Sequence, residues 1–403
     1  MMKFEIAMKE MKDVVKKIEK SVTKKVTKKA ALSILETVLV KQENDQLAFI
    51  ANNIEEELHI YKNVLVTGND SFCIKLDNLK KIIKLKSDLL TITYDSEHKN
   101  VLVSTGKKIV TFPSMWDAAE DFPLMKDIKE PEEKFFTSNY LEFFNMMEKL
   151  YVYLKDSDEY NKAMTYYNFN ANKNRITALD GHRLGMCKPS NEVGTFNIDS
   201  DVKEVNLNRE VWIKLKNCIA KESKGEQNII SIASKDKKTY IVGNDFKMIV
   251  RESDIMYFDV DKILLSESDL MMVNVNTSEL NESAEYNISF HGKDSKKPMV
   301  MKFIGNNIMS YMATEEGESF DKISVSNNSV SEEFMIAFNP LFIKELCSEI
   351  DTEFARMGFR NAKSPVMAYD GDFTYLVLPV NINSIDINGN DVEERINKLM
   401  KVA

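Results

Sequence analysis

The chain has 403 residues, a formal net charge of −9, 43% hydrophobic residues, 13 glycines, four cysteines and four histidines. Such a length divides into several domains of ordinary size, and the acidic balance excludes a protein that clings to nucleic acid over its whole surface. No apolar run approaches the ~20 residues of a membrane span, and residues 1–5 lack a signal peptide's apolar core, so a cytoplasmic protein with no membrane partner is expected.

The first predicted element is a helix over residues 8–22. Lys9, Lys12, Lys16 and Lys20 fall on one face at helical spacing, and Met11, Val14, Val15, Ile18 and Val22 fall on the opposite one. A second lysine cluster, Lys24, Lys25, Lys28 and Lys29, follows at once. Next come an apolar strand, Leu47-Ala48-Phe49-Ile50-Ala51, and a short alternating strand starting at Phe72 that delivers Asp77 as a helix cap. Lys80, Lys81 and Lys84 decorate the helix after it.

The same pattern then recurs. Arg175-Ile176-Thr177-Ala178 and residues 307–313 match the apolar strand, while 204–210 and 334–341 match the strand and cap, with Asn208 and Asn339 in the cap position. Asp77, Asn208 and Asn339 are each 131 residues apart, a period far too long for a solenoid and right for three copies of one α+β domain. Pro340 suits a first helical position, and Arg209, Lys214, Lys221 and Lys224 make the second copy's helix basic. Lysine on corresponding helices of an acidic protein predicts a basic lining that meets phosphates as point charges, without reading base sequence. The third copy departs from this: its first helix, near residues 277–290, carries Glu279, Glu282 and Glu285. The Pro-containing charged stretch 122–131 and residues 264–269 separate the copies, giving domains 1–128, 129–265 and 266–383 and an extension, 384–403. In that extension Asp391-Val392-Glu393-Glu394 has the form of a capping box, and Val392, Ile396 and Leu399 lie at helical spacing.

Nothing points to chemistry. Cys73, Cys187, Cys218 and Cys347 are too scattered for a metal site or a disulfide framework and read as buried small apolar residues. No phosphate-cradling glycine loop occurs, the carboxylates come as solvated runs such as Glu55-Glu56-Glu57, and neither metal nor cofactor is expected. Asp180 and His182 could form an acid/base pair, but with Gly181 between them they equally suit a tight hairpin.

Thr177-Ala178-Leu179-Asp180-Gly181-His182-Arg183-Leu184 resembles the strand-turn-strand signature in the middle domain of the bacterial DNA polymerase III beta sliding clamps. Similar matches stand at Ala31-Leu32-Ser33-Ile34-Leu35, Asp121-Phe122-Pro123 and Tyr375-Leu376-Val377-Leu378-Pro379-Val380, so the resemblance covers about residues 1 to 382. It implies three clamp-type domains, each with two helices packed on antiparallel sheets. It further implies a head-to-tail homodimeric ring around double-stranded DNA, loaded by a clamp loader and tethering the replicative DNA polymerase, with no activity of its own. Size agrees. Six helices of about 10 Å diameter close around a hole of only ~9 Å, whereas twelve leave ~28 Å, wide enough for duplex.

By the same resemblance, the polymerase and other clamp-binding peptide-motif proteins would insert a short segment into an apolar pocket between the second and third domains. The matching positions are Met164, Leu179, Gly181, His182, Arg183, Leu184, Phe258, Lys262, Ile263, Leu376, Val377, Leu378, Pro379, Val380 and Asn381. Leu179 stands where the family commonly has threonine, Phe258 where proline is usual and Asn381 where arginine is frequent, which bears on the peptide preferred. The alternatives are a replication or repair scaffold that uses the same pocket without encircling DNA, and a metal-dependent nuclease using Asp180 and His182. A tail helix would be expected to dock on the third domain beside the 376–380 strand.

Overall fold

The computed structural model describes residues 1–22, 30–114, 119–125, 131–219, 228–292, 297–330, 334–382 and 391–402. One order of elements runs through it three times, with one short strand fewer in the third copy among the described residues. The first copy comprises β1 (Met2–Ala7), α1 (Met8–Ile18), β2 (Thr37–Glu43), β3 (Gln46–Asn52), β4 (Glu56–Lys62), β5 (Val66–Thr67), β6 (Phe72–Lys75), α2 (Leu76–Ile82), β7 (Leu89–Asp95), β8 (Asn100–Ser104) and β9 (Ile109–Pro113). The second comprises β10 (Phe136–Asn139), α3 (Tyr140–Tyr151), β11 (Tyr166–Asn170), β12 (Arg175–Leu179), β13 (Arg183–Cys187), β14 (Thr195–Phe196), β15 (Glu204–Asn208), α4 (Arg209–Leu215), β16 (Ile229–Lys235), β17 (Lys238–Val242) and β18 (Phe246–Arg251). The third comprises β19 (Met271–Asn276), α5 (Thr277–His291), β20 (Met299–Ile304), β21 (Asn307–Thr314), β22 (Gly317–Ser326), β23 (Met335–Phe338), α6 (Pro340–Ser348), β24 (Phe354–Phe359), β25 (Val366–Asp370) and β26 (Phe373–Val377). A tail helix, α7 (Val392–Leu399), follows.

In the three copies each helix starts at the end of a strand or one residue past it, and asparagine does the turning in the second and third copies. Asn139, Asn208, Asn276 and Asn339 accept from the backbone N–H of Glu142, Glu210, Glu279 and Leu341, satisfying donors the helix leaves unpaired. Asp77 departs from the expectation: β6 ends at Lys75, α2 begins at Leu76, and the carboxylate sits in the helix's first turn rather than at its cap. There it still complements the positive end of the helix. Likewise α1 stops at Ile18, four residues before the expected end, leaving Lys20 in the turn beyond.

The chain folds as two compact units, the first made of residues 1–145, 170–173 and 191–254, the second of 146–169, 174–190 and 255–403. In the first, one sheet runs β5-β1-β7-β8-β9 and a larger one runs β14-β10-β16-β17-β18-β4-β3-β2-β6. The last strand of the second copy, β18, is therefore bonded antiparallel to β4 of the first, with Met248 opposite Leu58. Met11, Val14, Val15 and Ile18 of α1 are buried, each side chain stabilising the fold by about 1.5–3 kcal/mol. Lys17 is buried among them, 2.5 Å from Asp245 and 3.1 Å from Asp13. Burial opposes its charge, but the Asp245 and Asp13 carboxylates together outweigh that and raise the lysine's pKa.

In the second unit a sheet runs β12-β13-β26-β25-β24-β19-β22-β21-β20-β23. Here β26, the last strand of the third copy, is bonded antiparallel to β13 of the second, with Leu376 opposite Leu184. All four cysteines are free and buried. No helix among the described residues is long and apolar enough to cross a membrane.

The tail helix forms as its capping pattern predicts: Asp391 accepts from the N–H groups of Glu393 and Glu394. Its position differs from the expectation. Val392 and Ile396 pack on Val300, Met309, Tyr311 and Ala337, which belong to β20, β21 and β23 rather than β26, and Ile382 joins them from just past β26. Those strands offer an apolar face that matches the helix's own stripe, and Lys302 with Glu393 and Arg395 with Glu318 close its flanks.

A candidate peptide pocket and a basic face

The candidate pocket is built from a turn. Leu179 pairs with Leu184 across the β12–β13 hairpin, and between them Asp180 accepts from the N–H groups of His182 and Arg183 at 2.9 and 3.0 Å. Gly181 has φ +90°, a left-handed backbone that favours glycine, and a Cβ there would stand 3.0 Å from the Met164 methyl. The second oxygen of Asp180 accepts from Nε of Arg183 at 2.9 Å. Arg183 also donates to Glu345 and to the Val152 carbonyl, and its guanidinium lies 4.5 Å from the centre of the Phe342 ring. The His182 ring lies over Phe342 as well, 5.9 Å centre to centre. Both Asp180 oxygens thus hold the turn and Arg183, and the His182 ring stacks on Phe342 rather than meeting the Asp180 carboxylate.

Beneath the turn, Leu179, Leu184, Met186, Val260, Met367 and Leu376 form a buried apolar cluster, with Met164, Tyr257 and Leu264 packed against it. Val377 is buried and paired with Arg183. Past it the chain runs as a strip across the surface: the Leu378 N–H donates to the His182 carbonyl at 2.9 Å and the Val380 N–H to the Ala337 carbonyl at 2.7 Å. Leu378 is 40% exposed, Ile263 45% and Phe258 39%, while Val380 and Asn381 are also exposed and Pro379 is half-buried. Lys262 is exposed at the rim, 3.1 Å from Asp259. Exposed aliphatic side chains over a fixed apolar floor, with the turn's polar groups internally satisfied, suit an extended apolar peptide segment.

Local sequence does not reveal the groups that fix Arg183. Val152, Phe342 and Glu345 lie 31, 159 and 162 residues from it. The one legible trace is that Phe342 and Glu345 are three apart on α6 and so share a face. Tyr257 carries no sequence signal either: its hydroxyl donates to the Thr177 carbonyl at 3.2 Å and its ring meets Phe258 edge-on.

The basic residues divide by how free they are. Lys9, Lys12, Lys16 and Lys20 are exposed on and just past α1, as are Lys81 and Lys84 on and just past α2. Lys9, Lys12, Lys84 and Lys86 line one open cavity of about 1000 Å³. Lys80 is 3.0 Å from Glu19, and Lys214 is paired with Glu56 with little of its side chain exposed, so its charge is already answered. Arg209 is half-buried. Lys24, Lys25, Lys28, Lys29, Lys221 and Lys224 lie outside the described residues. On α5, Glu285 pairs with Lys344 at 2.9 Å, and Glu279 accepts from the Ser324 N–H. Among the described residues no group of three or more His, Cys, Asp or Glu side chains could hold a metal ion.

Three copies of a two-helix unit, joined edge to edge by their sheets, define a clamp-type architecture. Its fold is that of the DNA polymerase III beta subunits, the bacterial sliding clamps. The structure of that subunit from Thermotoga maritima matches with a TM-score of 0.76 at 19% identity, covering 95% of this chain and 100% of the other. A Pseudomonas aeruginosa sliding clamp bound to griselimycin matches with a TM-score of 0.78 at 18% identity, covering 94% of this chain and 100% of the other. In sequence, the beta sliding clamp of Chlamydia muridarum is 20% identical over 395 residues, which is 95% of this chain and all of that one. No family model matches the chain.

Proposed function

We propose that the protein is a DNA sliding clamp: two copies close head to tail around duplex DNA, hold it without regard to sequence, and tether a replicative polymerase through the pocket beside Leu378. The observation that carries this reading is the order in which strand edges are used. The last strand of the second copy closes on β4, and the last strand of the third closes on β13. By the same rule β9, the last strand of the first copy, calls for a partner, and β22, the counterpart of β4 and β13, calls for one too.

Among the described residues both are sheet edges over the lengths in question. β9 ends its sheet, and β22 pairs with β21 along its length but with β19 only at Val325 and Ser326. Unprotected edges invite another chain, and a β22-to-β9 contact between copies is heterologous, so it closes after two copies only if each spans half a ring. The flanks of these edges also carry opposite charge: Lys107 and Lys108 precede β9, while Glu315 and Glu316 precede β22. Exposed lysines of α1 and α2 would then meet phosphates. The clamp loader and other peptide-motif proteins are further partners this reading implies. The direct check on closure is the mass in solution, expected at twice 46.3 kDa at micromolar concentration. A chain that sediments at 46.3 kDa throughout would favour the non-encircling scaffold.

A further inference from the structure

At both junctions inside the chain, a connecting segment lies across the joined strands. At the first, Phe122 packs on Leu39, Ala48, Ile50 and Cys73 of the first copy, and Met125 packs on Ala233, Tyr240 and Ile249 of the second. The segment is pinned midway, where the Met125 N–H donates to Glu57 of β4 at 2.7 Å and the Pro123 carbonyl accepts from Asn52. At the second junction, Val260 packs with Leu179, Leu184 and Met186 of the second copy and with Met367 and Leu376 of the third.

The tail helix occupies the matching place on the third copy. Phe122 covers the register row Cys73, Leu39, Ile50, in which Leu39 is opposite both of the others. Val392 and Ile396 cover Ala337, Val300, Tyr311, in which Val300 is likewise opposite both. Arg395 reaches Glu318 at the start of β22, the edge assigned above to a second copy. Val402, in the turn that follows the end of α7, is 84% exposed.

We propose that α7 is the straddling segment of the third junction, one that crosses between copies without a covalent connection: anchored on its own β20, β21 and β23, it packs its Arg395 flank, and the turn after it that carries Val402, onto the partner copy. The surface it meets follows from register. Met125 covers the row Ala233, Tyr240, Ile249, and the equivalent row of the first copy is Thr93, Leu102, Thr111, beside Ile109, which is 67% exposed. The partner is thus a second copy of this chain, and α7 is a closure element. This rests on the head-to-tail reading, and the experiment separates the two.

Self-association is measured by sedimentation for the full chain and for a chain ending at Ile382, and the full chain carrying Val402→Cys with Thr111→Cys is oxidised and run without reductant. The native thiols do not compete, since all four are buried and burial pushes those of Cys218 and Cys347 up to about 12. The expected results are a dissociation constant raised about tenfold by the truncation, the effect of removing one apolar anchor, and a band of two linked chains. Removing the tail uncovers Tyr311 and Met309, so if the shortened chain aggregates, the cysteine pair decides. A dimeric parent whose affinity ignores truncation, or whose cysteine pair stays unlinked, overturns the role of α7 and leaves closure standing. A parent that is monomeric throughout overturns both.

Discussion

Arg183 is a buried charge whose surroundings are complete: a carboxylate from its own turn, another from α6, a carbonyl from residue 152 and two aromatic rings. Removing one partner from such a group leaves the others buried and unanswered. Arg183→Ala should therefore cost about 3–5 kcal/mol in denaturant unfolding, and a cost under ~1 would mean the site is wetter than its geometry indicates. Nearby Glu349 behaves oppositely. Its pKa is raised to about 7, chiefly by burial, with Lys149 opposing the rise and Asp351, Glu148 and Glu345 adding to it. An acid that holds its proton more tightly when folded contributes its full stability below about pH 4.5 and loses it as pH rises through 7. Glu349→Gln should then gain about 1–2 kcal/mol at pH 8, after discounting for solvent, and nothing at pH 4. Equal stability of the two proteins at pH 8 would refute it.

Helices and strands were legible where a local rule governs them. Asn208 and Asn339 cap their helices as the repeat suggests, and Asp391 caps the tail helix. Asp77 misled because strand end and helix start are fixed by packing of Ile74, Leu76 and Leu79, which shifts the first copy's boundary by two residues. Ion pairs such as Lys214 with Glu56 join residues 158 apart, and no spacing announces them. The lysine face of α1, by contrast, follows from period alone and is testable there. Replacing Lys12, Lys16 and Lys20 with alanine should leave the thermal midpoint unchanged and lower the slope of log affinity against log salt by about 0.9 for each phosphate left without its lysine. An unaltered slope would take this face out of the DNA path. For the pocket, the structure redirects the choice of residues: Leu179 is core, so trimming it tests packing, whereas Leu378 and Ile263 are surface anchors. Leu378→Ala with Ile263→Ala should weaken a polymerase-derived peptide by about 2 kcal/mol or more without destabilising the chain. Unchanged affinity by calorimetry would move the site elsewhere.

At the scale of the molecule, the threefold order was readable because the same strand, turn and helix chemistry is written out three times. The division into two compact units was not. It arises from β4 meeting β18 and β13 meeting β26, pairings between residues nearly 200 apart that no window along the chain contains. Those pairings make the proposed function a matter of topology, since β9 and β22 are the edges on which the proposed second copy would close. A closed ring holds DNA by linkage rather than by affinity. The decisive measurement is retention on nicked circular duplex after loading, followed by gel filtration in high salt and then by cutting the circle once. A linked ring stays with the circle at salt concentrations that abolish phosphate contacts and leaves when the DNA is made linear. Protein lost from the circle in high salt, or retained equally after cutting, would contradict encirclement.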